Sequence, residues 1–158
     1  MKKSPDNLKE NSFIPQMEPW FDEKEAAAVF EYMKSGGWLM EFERTKELER
    51  IIAEFVGAKH CVLTTNGTIS LTLAMLALGL KAGDEVLVPD FTMIASPNAC
   101  RLIGVEPILV DIKEETLCLD LTKATEAITP RTKALMYVAL NGRADDMNNV
   151  VKFCQEHN

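Results

Sequence analysis

Residues 85–111, EVLVPDFTMIASPNACRLIGVEPILVD, set two short β-rich runs, EVLVP and EPILVD, on either side of a helix-like segment. Runs of four to eight residues rich in valine, isoleucine and leucine, bounded by Pro, Asp or Gly, read as strands. Between them the pattern predicts a helix over Pro97–Ile103. Ser96 stands at its N-cap position, Pro97 at its first turn, and Gly104 just past its end, the order in which helix start and stop signals occur. Strand, helix, strand is a βαβ unit, and its two strands must run parallel.

The same alternation extends outward. Two more strands are expected, HCVLT (60–64) and KALMYVAL (133–140). Further helices are expected over Thr68–Leu78, over Leu121–Ile128 behind Asp120, and over Asp146–His157 with Asp146 as its cap. Upstream, Asp22 and Glu25 form a capping-box pair ahead of Ala26, Val29, Phe30 and Met33, and SGG at 35–37 stops that helix. A second helix over 42–56 carries Leu48, Ile51, Ile52 and Phe55 as its apolar stripe and ends at Gly57. Residues 1–13 are polar and expected to be flexible. The alternation predicts an α/β protein with a largely parallel sheet.

Composition narrows the classes of function. The chain has 158 residues, 47% apolar and 26% charged, as an ordinary globular domain does. A net charge of -7 argues against nucleic acid or an anionic membrane as the main partner. Cys61, Cys100, Cys118 and Cys154 form no CxxC pair and lie among apolar neighbours, so they are expected to be buried, reduced thiols. His60 and His157 are the only histidines, and no metal cluster is expected. The charged N-terminus has no secretory signal pattern and no window matches a membrane span, so a soluble cytoplasmic protein is expected.

In open parallel sheets, ligands bind beyond the carboxyl ends of the strands. Three loops belong there. In TTNGT (64–68), Gly67 permits close backbone approach, and the first N–H groups of the next helix lack intrahelical partners. Those donors, the helix dipole and the Thr68 hydroxyl suit a phosphate; Asn66-Gly67 is equally a common turn dipeptide. The second loop, VPDFTMIASPNA (88–99), exposes Phe91 and Met93 as a surface for a flat cofactor, or else forms a buried corner capped by Ser96 and Asn98. The third, LNGRADDM (140–147), offers Asn141 and Arg143 to an anionic substrate, or is a solvated turn. Asp111 reads as a strand-end residue. No GxGxxG, P-loop or nucleophile-elbow motif is present.

Taken in order, GGWL, EFVGAKHCVLTTNGTISLTLAMLALGLKAGDEVLVPDFTMIASPNA, GVEPILVDIKEETLCLDL, AITPRTKALMYVALNG and DMNNVVKFCQEHN resemble the DegT/DnrJ/EryC1/StrS sugar aminotransferase family. The resemblance implies a three-layer α/β/α fold, with residues 14–158 as the N-terminal part of the large domain of a type I enzyme that uses pyridoxal 5′-phosphate (PLP). It implies a nucleotide-linked keto sugar as substrate, glutamate as amino donor, and a homodimer. It assigns the cofactor phosphate to Asn66, Gly67 and Thr68. The ring-stacking aromatic of the family falls on Met93, with Phe91 as its neighbour. Ala139-Leu140-Asn141-Gly142 replaces the family's H-L-Y-G. The acid that pairs with the pyridine nitrogen and the Schiff-base lysine match no residue of this chain, and Lys81, Lys123, Lys133 and Lys152 fall at other positions. The 158-residue chain alone is therefore expected to be catalytically inactive. A PLP-dependent sugar dehydratase and a non-catalytic remnant or binding module are the alternative readings. An incomplete sheet is further expected to leave an open edge that favours self-association.

Overall fold

The computed structural model describes residues 17–37 and 42–157, and the chain divides into two units, Met1–Cys61 and Val62–Asn158. The segment 1–13, expected to be flexible, lies outside the described residues. In the first unit, α1 (Glu23–Lys34) starts at the predicted capping box. The Asp22 carboxylate accepts the Lys24 N–H at 2.8 Å, and Glu25 reaches back to the Asp22 N–H at 2.6 Å. Helix α2 (Glu43–Val56) ends where Gly57 turns left-handed, at φ 68°, a conformation that costs glycine little. Both helices are amphipathic as expected, yet neither buries a residue.

The second unit carries the alternation. Its elements are α3 (Gly67–Ala77), β1 (Glu85–Pro89), α4 (Ala95–Arg101), β2 (Glu106–Val110), α5 (Leu121–Ala127), β3 (Thr132–Leu135) and α6 (Met147–His157). The strands form a parallel sheet of order β2-β1-β3. Central β1 is buried along its whole length. Val86 and Val88 pack into one cluster with Met75, Ala99, Cys100 and Val105, under α3 and α4. Leu87 points the other way, into a cluster with Val110, Leu119 and Ala124 that Phe153 of α6 joins. Helices on both faces of the sheet make the expected three-layer α/β/α sandwich, and burial on both faces is why EVLVP is continuously apolar after Glu85.

Three sequence expectations need correction. Residues 60–64 form no strand. A short apolar run marks a candidate strand, but a strand exists only through ladder bonds to a neighbour, and this stretch is not part of the β2-β1-β3 sheet. The KALMYVAL strand is shorter, ending at Leu135. The Met136 N–H still donates to the Leu87 carbonyl at 2.8 Å, but the next bond of a parallel ladder would come from residue 89, a proline with no N–H. Helix α4 starts at Ala95, after Ile94, and not behind Ser96. The buried Ser96 hydroxyl is bonded to Thr92 Oγ1 at 2.9 Å, and Pro97 falls within the first turn, where its missing N–H costs no helix bond.

The cysteines also divide. Cys100 and Cys118 are buried as expected, Cys61 is half-buried and Cys154 is exposed. On α6 the inner side belongs to Val150 and Phe153, so Cys154 turns outward.

At the amino end of β1, Glu85 is 1% exposed. Its carboxylate accepts from the Thr129 hydroxyl, the Arg131 guanidinium and the Thr132 hydroxyl, tying β1 to the turn before β3. The Thr129 bond, aided by Arg131, holds this carboxyl below its ordinary value against the burial that would raise it. A depressed folded value contributes stability above the unfolded pKa of about 4.3, and that contribution is lost as pH falls through the folded value. Glu85→Gln is therefore expected to show a shallower loss of stability below about pH 4.3, measured by urea denaturation across a pH series.

Candidate functional site

The first turn of α3 is built by its own hydroxyls. Asn66 is extended (φ -170°, ψ 167°), and its side-chain oxygen accepts the Ile69 N–H at 3.0 Å. Its carbonyl accepts from the Ser70 N–H at 3.1 Å and from Thr64 Oγ1 at 2.9 Å, while the Thr64 and Ser70 hydroxyls meet at 2.6 Å. The Asn66 carboxamide oxygen thus serves the helix itself, while its Nδ2 lies 3.4 Å from Thr65 Oγ1. Among the described residues, the N–H groups of Gly67 and Thr68 and the Thr68 hydroxyl have no protein partner. These groups sit at the positive end of an eleven-residue helix, where anions bind.

Gly67 has no intramolecular need to be glycine. Its φ is not in the left-handed range, and a Cβ built there meets nothing within 4 Å. Among the described residues, nothing packs against the space a side chain at Gly67 would occupy.

Beyond the carboxyl end of β1, Phe91 is 53% and Met93 73% exposed. Thr92 between them is anchored to Ser96 of α4. Helix α4 packs on α3: Thr72 Oγ1 lies 3.3 Å from the Ala99 carbonyl and the Cys100 thiol 3.6 Å from Met75 Sδ. One turn back from the Thr72–Ala99 contact lie Thr68 on α3 and Ala95 on α4. The anion-ready turn and the apolar loop therefore share the carboxyl edge of the sheet and the same helix layer.

Asn141 and Arg143 sit on the loop after β3, which leads to the opposite layer. Asn141 is left-handed (φ 53°, ψ 31°) inside a 3-10 turn, Leu140–Gly142, and Arg143 is exposed. They share the edge with the other candidates, but among the described residues no hydrogen bond or ion pair joins the two groups. A groove of about 460 Å³ between α5 and α6, floored by Leu121 and Phe153, is lined by none of these residues. Among the described residues no group of His, Cys, Asp and Glu is arranged for a metal.

Sequence reasoning missed four residues that support the third loop. Lys113 Nζ lies 2.9 Å from the Asp145 carboxylate, the Asp145 N–H donates to Tyr137 Oη at 2.8 Å, and the Cys118 thiol donates to the Arg143 carbonyl at 3.5 Å. The hydrogen bond and charge of Asp145 raise the Lys113 ammonium above its ordinary value, and burial, then the Cys118 contact, raise the Tyr137 phenol. These partners are far apart in sequence, so no local pattern announces them.

The profile of the DegT/DnrJ/EryC1/StrS aminotransferases matches residues 19–158. The chain belongs to this family. GDP-perosamine synthase of Caulobacter vibrioides is 40% identical over 141 residues, 89% of this chain and 38% of that protein. UDP-2-acetamido-2-deoxy-3-oxo-D-glucuronate aminotransferase of Pseudomonas aeruginosa is 40% identical over 124 residues, 78% of this chain and 34% of that protein. Among solved structures, a putative sugar aminotransferase from Streptococcus pneumoniae in its PLP form superposes with a TM-score of 0.85 at 31% identity, covering 91% of this chain and 36% of that one. The chain thus spans little more than a third of the length of these relatives. The expected fold is the one these family members share. No helix among the described residues is long and apolar enough to cross a membrane.

Proposed function

We propose that this chain carries the phosphate-holding part of a PLP-dependent aminotransferase that aminates a nucleotide-linked keto sugar, with glutamate as amino donor. The observation that carries the reading is the first turn of α3. Two unpaired amides and a hydroxyl stand at a helix N-terminus, with open space where Gly67 lacks a side chain. In this reading Gly67 and Thr68 bind the cofactor phosphate, and Asn66 orients them by fixing the turn. Phe91 and Met93 cover one face of the pyridine ring, and the rigid Thr92–Ser96 contact keeps that loop in place. A bound PLP supplies the electron-withdrawing ring that amino transfer requires. The exposed Arg143 and Asn141 turn toward the substrate. The reading carries with it a homodimer and a cytoplasmic location, where nucleotide-linked sugars and glutamate are expected to be available.

The test separates phosphate from ring. Titrated by calorimetry, the chain is expected to bind PLP at least about tenfold more tightly than pyridoxal, since one charge-assisted hydrogen bond contributes about 1.5–3 kcal/mol. Equal affinities would remove the phosphate cradle and the reading with it.

A further inference from the structure

Arg44, Arg50, Arg101 and Arg131 each pair with a carboxylate. Among the described residues Arg143 has no such partner, although Asp145 and Asp146 are its near neighbours in sequence. Asp145 is diverted to Lys113 at 2.9 Å, and Asp146 accepts the Asn148 N–H at 2.9 Å as the cap of α6. The segment around Arg143 is held by three bonds to its backbone and one to the Asp145 side chain. The Arg143 N–H donates to the Leu140 carbonyl at 3.0 Å, its carbonyl accepts from Cys118, and Asp145 is held by Tyr137 through its N–H and by Lys113 through its carboxylate. The chain therefore holds this arginine's backbone still, draws the adjacent acids away, and leaves the guanidinium without a counter-charge at the ligand edge of the sheet.

We infer that Lys113, Tyr137 and Asp145 form a clasp that positions Arg143 to bind the diphosphate of a nucleotide-linked substrate. This rests on the nucleotide-sugar reading above and assigns that substrate's anion to a residue of this chain. Lys113 and Asp145 are positioning residues; Arg143 is the binding group. Its planar fork suits bidentate contact with phosphate oxygens. Holding the backbone in advance reduces the ordering cost of binding. The pairing also acts by subtraction: with Lys113 removed, the freed Asp145 carboxylate competes with the ligand for Arg143.

Uridine diphosphate is the probe, titrated into the 158-residue chain by calorimetry, with PLP titrated in parallel. Arg143→Gln is expected to weaken the nucleotide about tenfold to a hundredfold. Lys113→Met is expected to weaken it about threefold to tenfold, because the arginine remains but is misplaced and opposed. Lys113→Arg, and the exchange Lys113→Asp with Asp145→Lys, restore the pair and are expected to return affinity to within about twofold of the starting chain. A purely structural role would not show this rescue in nucleotide affinity while thermal melting stays constant. Nucleotide binding that is absent from the starting chain, indifferent to Arg143→Gln, or equal in Lys113→Met and the starting chain would each overturn the clasp. Failure of PLP to bind more tightly than pyridoxal would instead overturn the cofactor reading, so the two failures are read from different titrations.

Discussion

Leu87→Ala is expected to destabilise the chain by about 2–5 kcal/mol, measured by urea denaturation of the 158-residue protein. Leu87 is 1% exposed at the middle of the central strand, and its side chain is that strand's contribution to the α5/α6 cluster. Truncation removes apolar contact and leaves a cavity that neighbours on three elements can close only in part. Leu109, in the adjacent strand but 61% exposed, is the control, and its replacement by Ala is expected to change stability by no more than about 0.5 kcal/mol. Similar losses at both positions would contradict the assignment of β1 as the double-faced core of the sandwich.

Gly67→Ala is expected to move stability and binding in opposite directions. A Cβ at this position meets nothing within 4 Å and the backbone is not left-handed. Alanine should therefore be accommodated, and it should raise stability by up to about 1 kcal/mol through its lower folding entropy and better helix propensity. In the proposed reading the phosphate is held close against this backbone, where the added methyl group crowds it, so PLP affinity is expected to fall tenfold or more, at about 1.4 kcal/mol per tenfold. Thermal melting and a PLP titration on the same preparation check both signs. A substitution that lowers stability and leaves binding intact would mean that this glycine serves the fold and not a ligand.

Helix boundaries were legible in the sequence because caps are local chemistry. Asp22 with Glu25, Asp120 before α5, Asp146 before α6 and Gly57 after α2 all act within four residues of the end they define. The strands were legible in kind, since the buried EVLVP run implies cover on both faces. Their extents were not. The apolar run at 60–64 looks like a strand but is not part of the β2-β1-β3 sheet, and β3 stops where Pro89 on the adjacent strand has no N–H to give. Ser96 misled for a related reason: a hydroxyl ahead of a proline looks like a cap, but its bond runs to Thr92.

The site divides along the same line. The Asn-Gly-Thr corner could be read from sequence because its donors are the helix's own first amides. That the Asn66 side-chain oxygen is taken by the Ile69 N–H could not be read from the dipeptide, because it depends on the extended backbone of Asn66. Arg143 was visible as a cation in a loop. Its lack of an ion-pair partner among the described residues was not, because nearby Asp145 pairs with Lys113, 32 residues away in sequence.

In the proposed reading the Gly67 and Thr68 amides hold the phosphate of PLP. The most direct measurement is of backbone amide NMR shifts on adding PLP or pyridoxal to the isotopically labelled chain. PLP is expected to move the Gly67 and Thr68 amide protons strongly downfield, as new hydrogen bonds to an anion do, and pyridoxal to leave both nearly in place. Amide shifts at these two residues that are absent with PLP, or the same with both compounds, would contradict it.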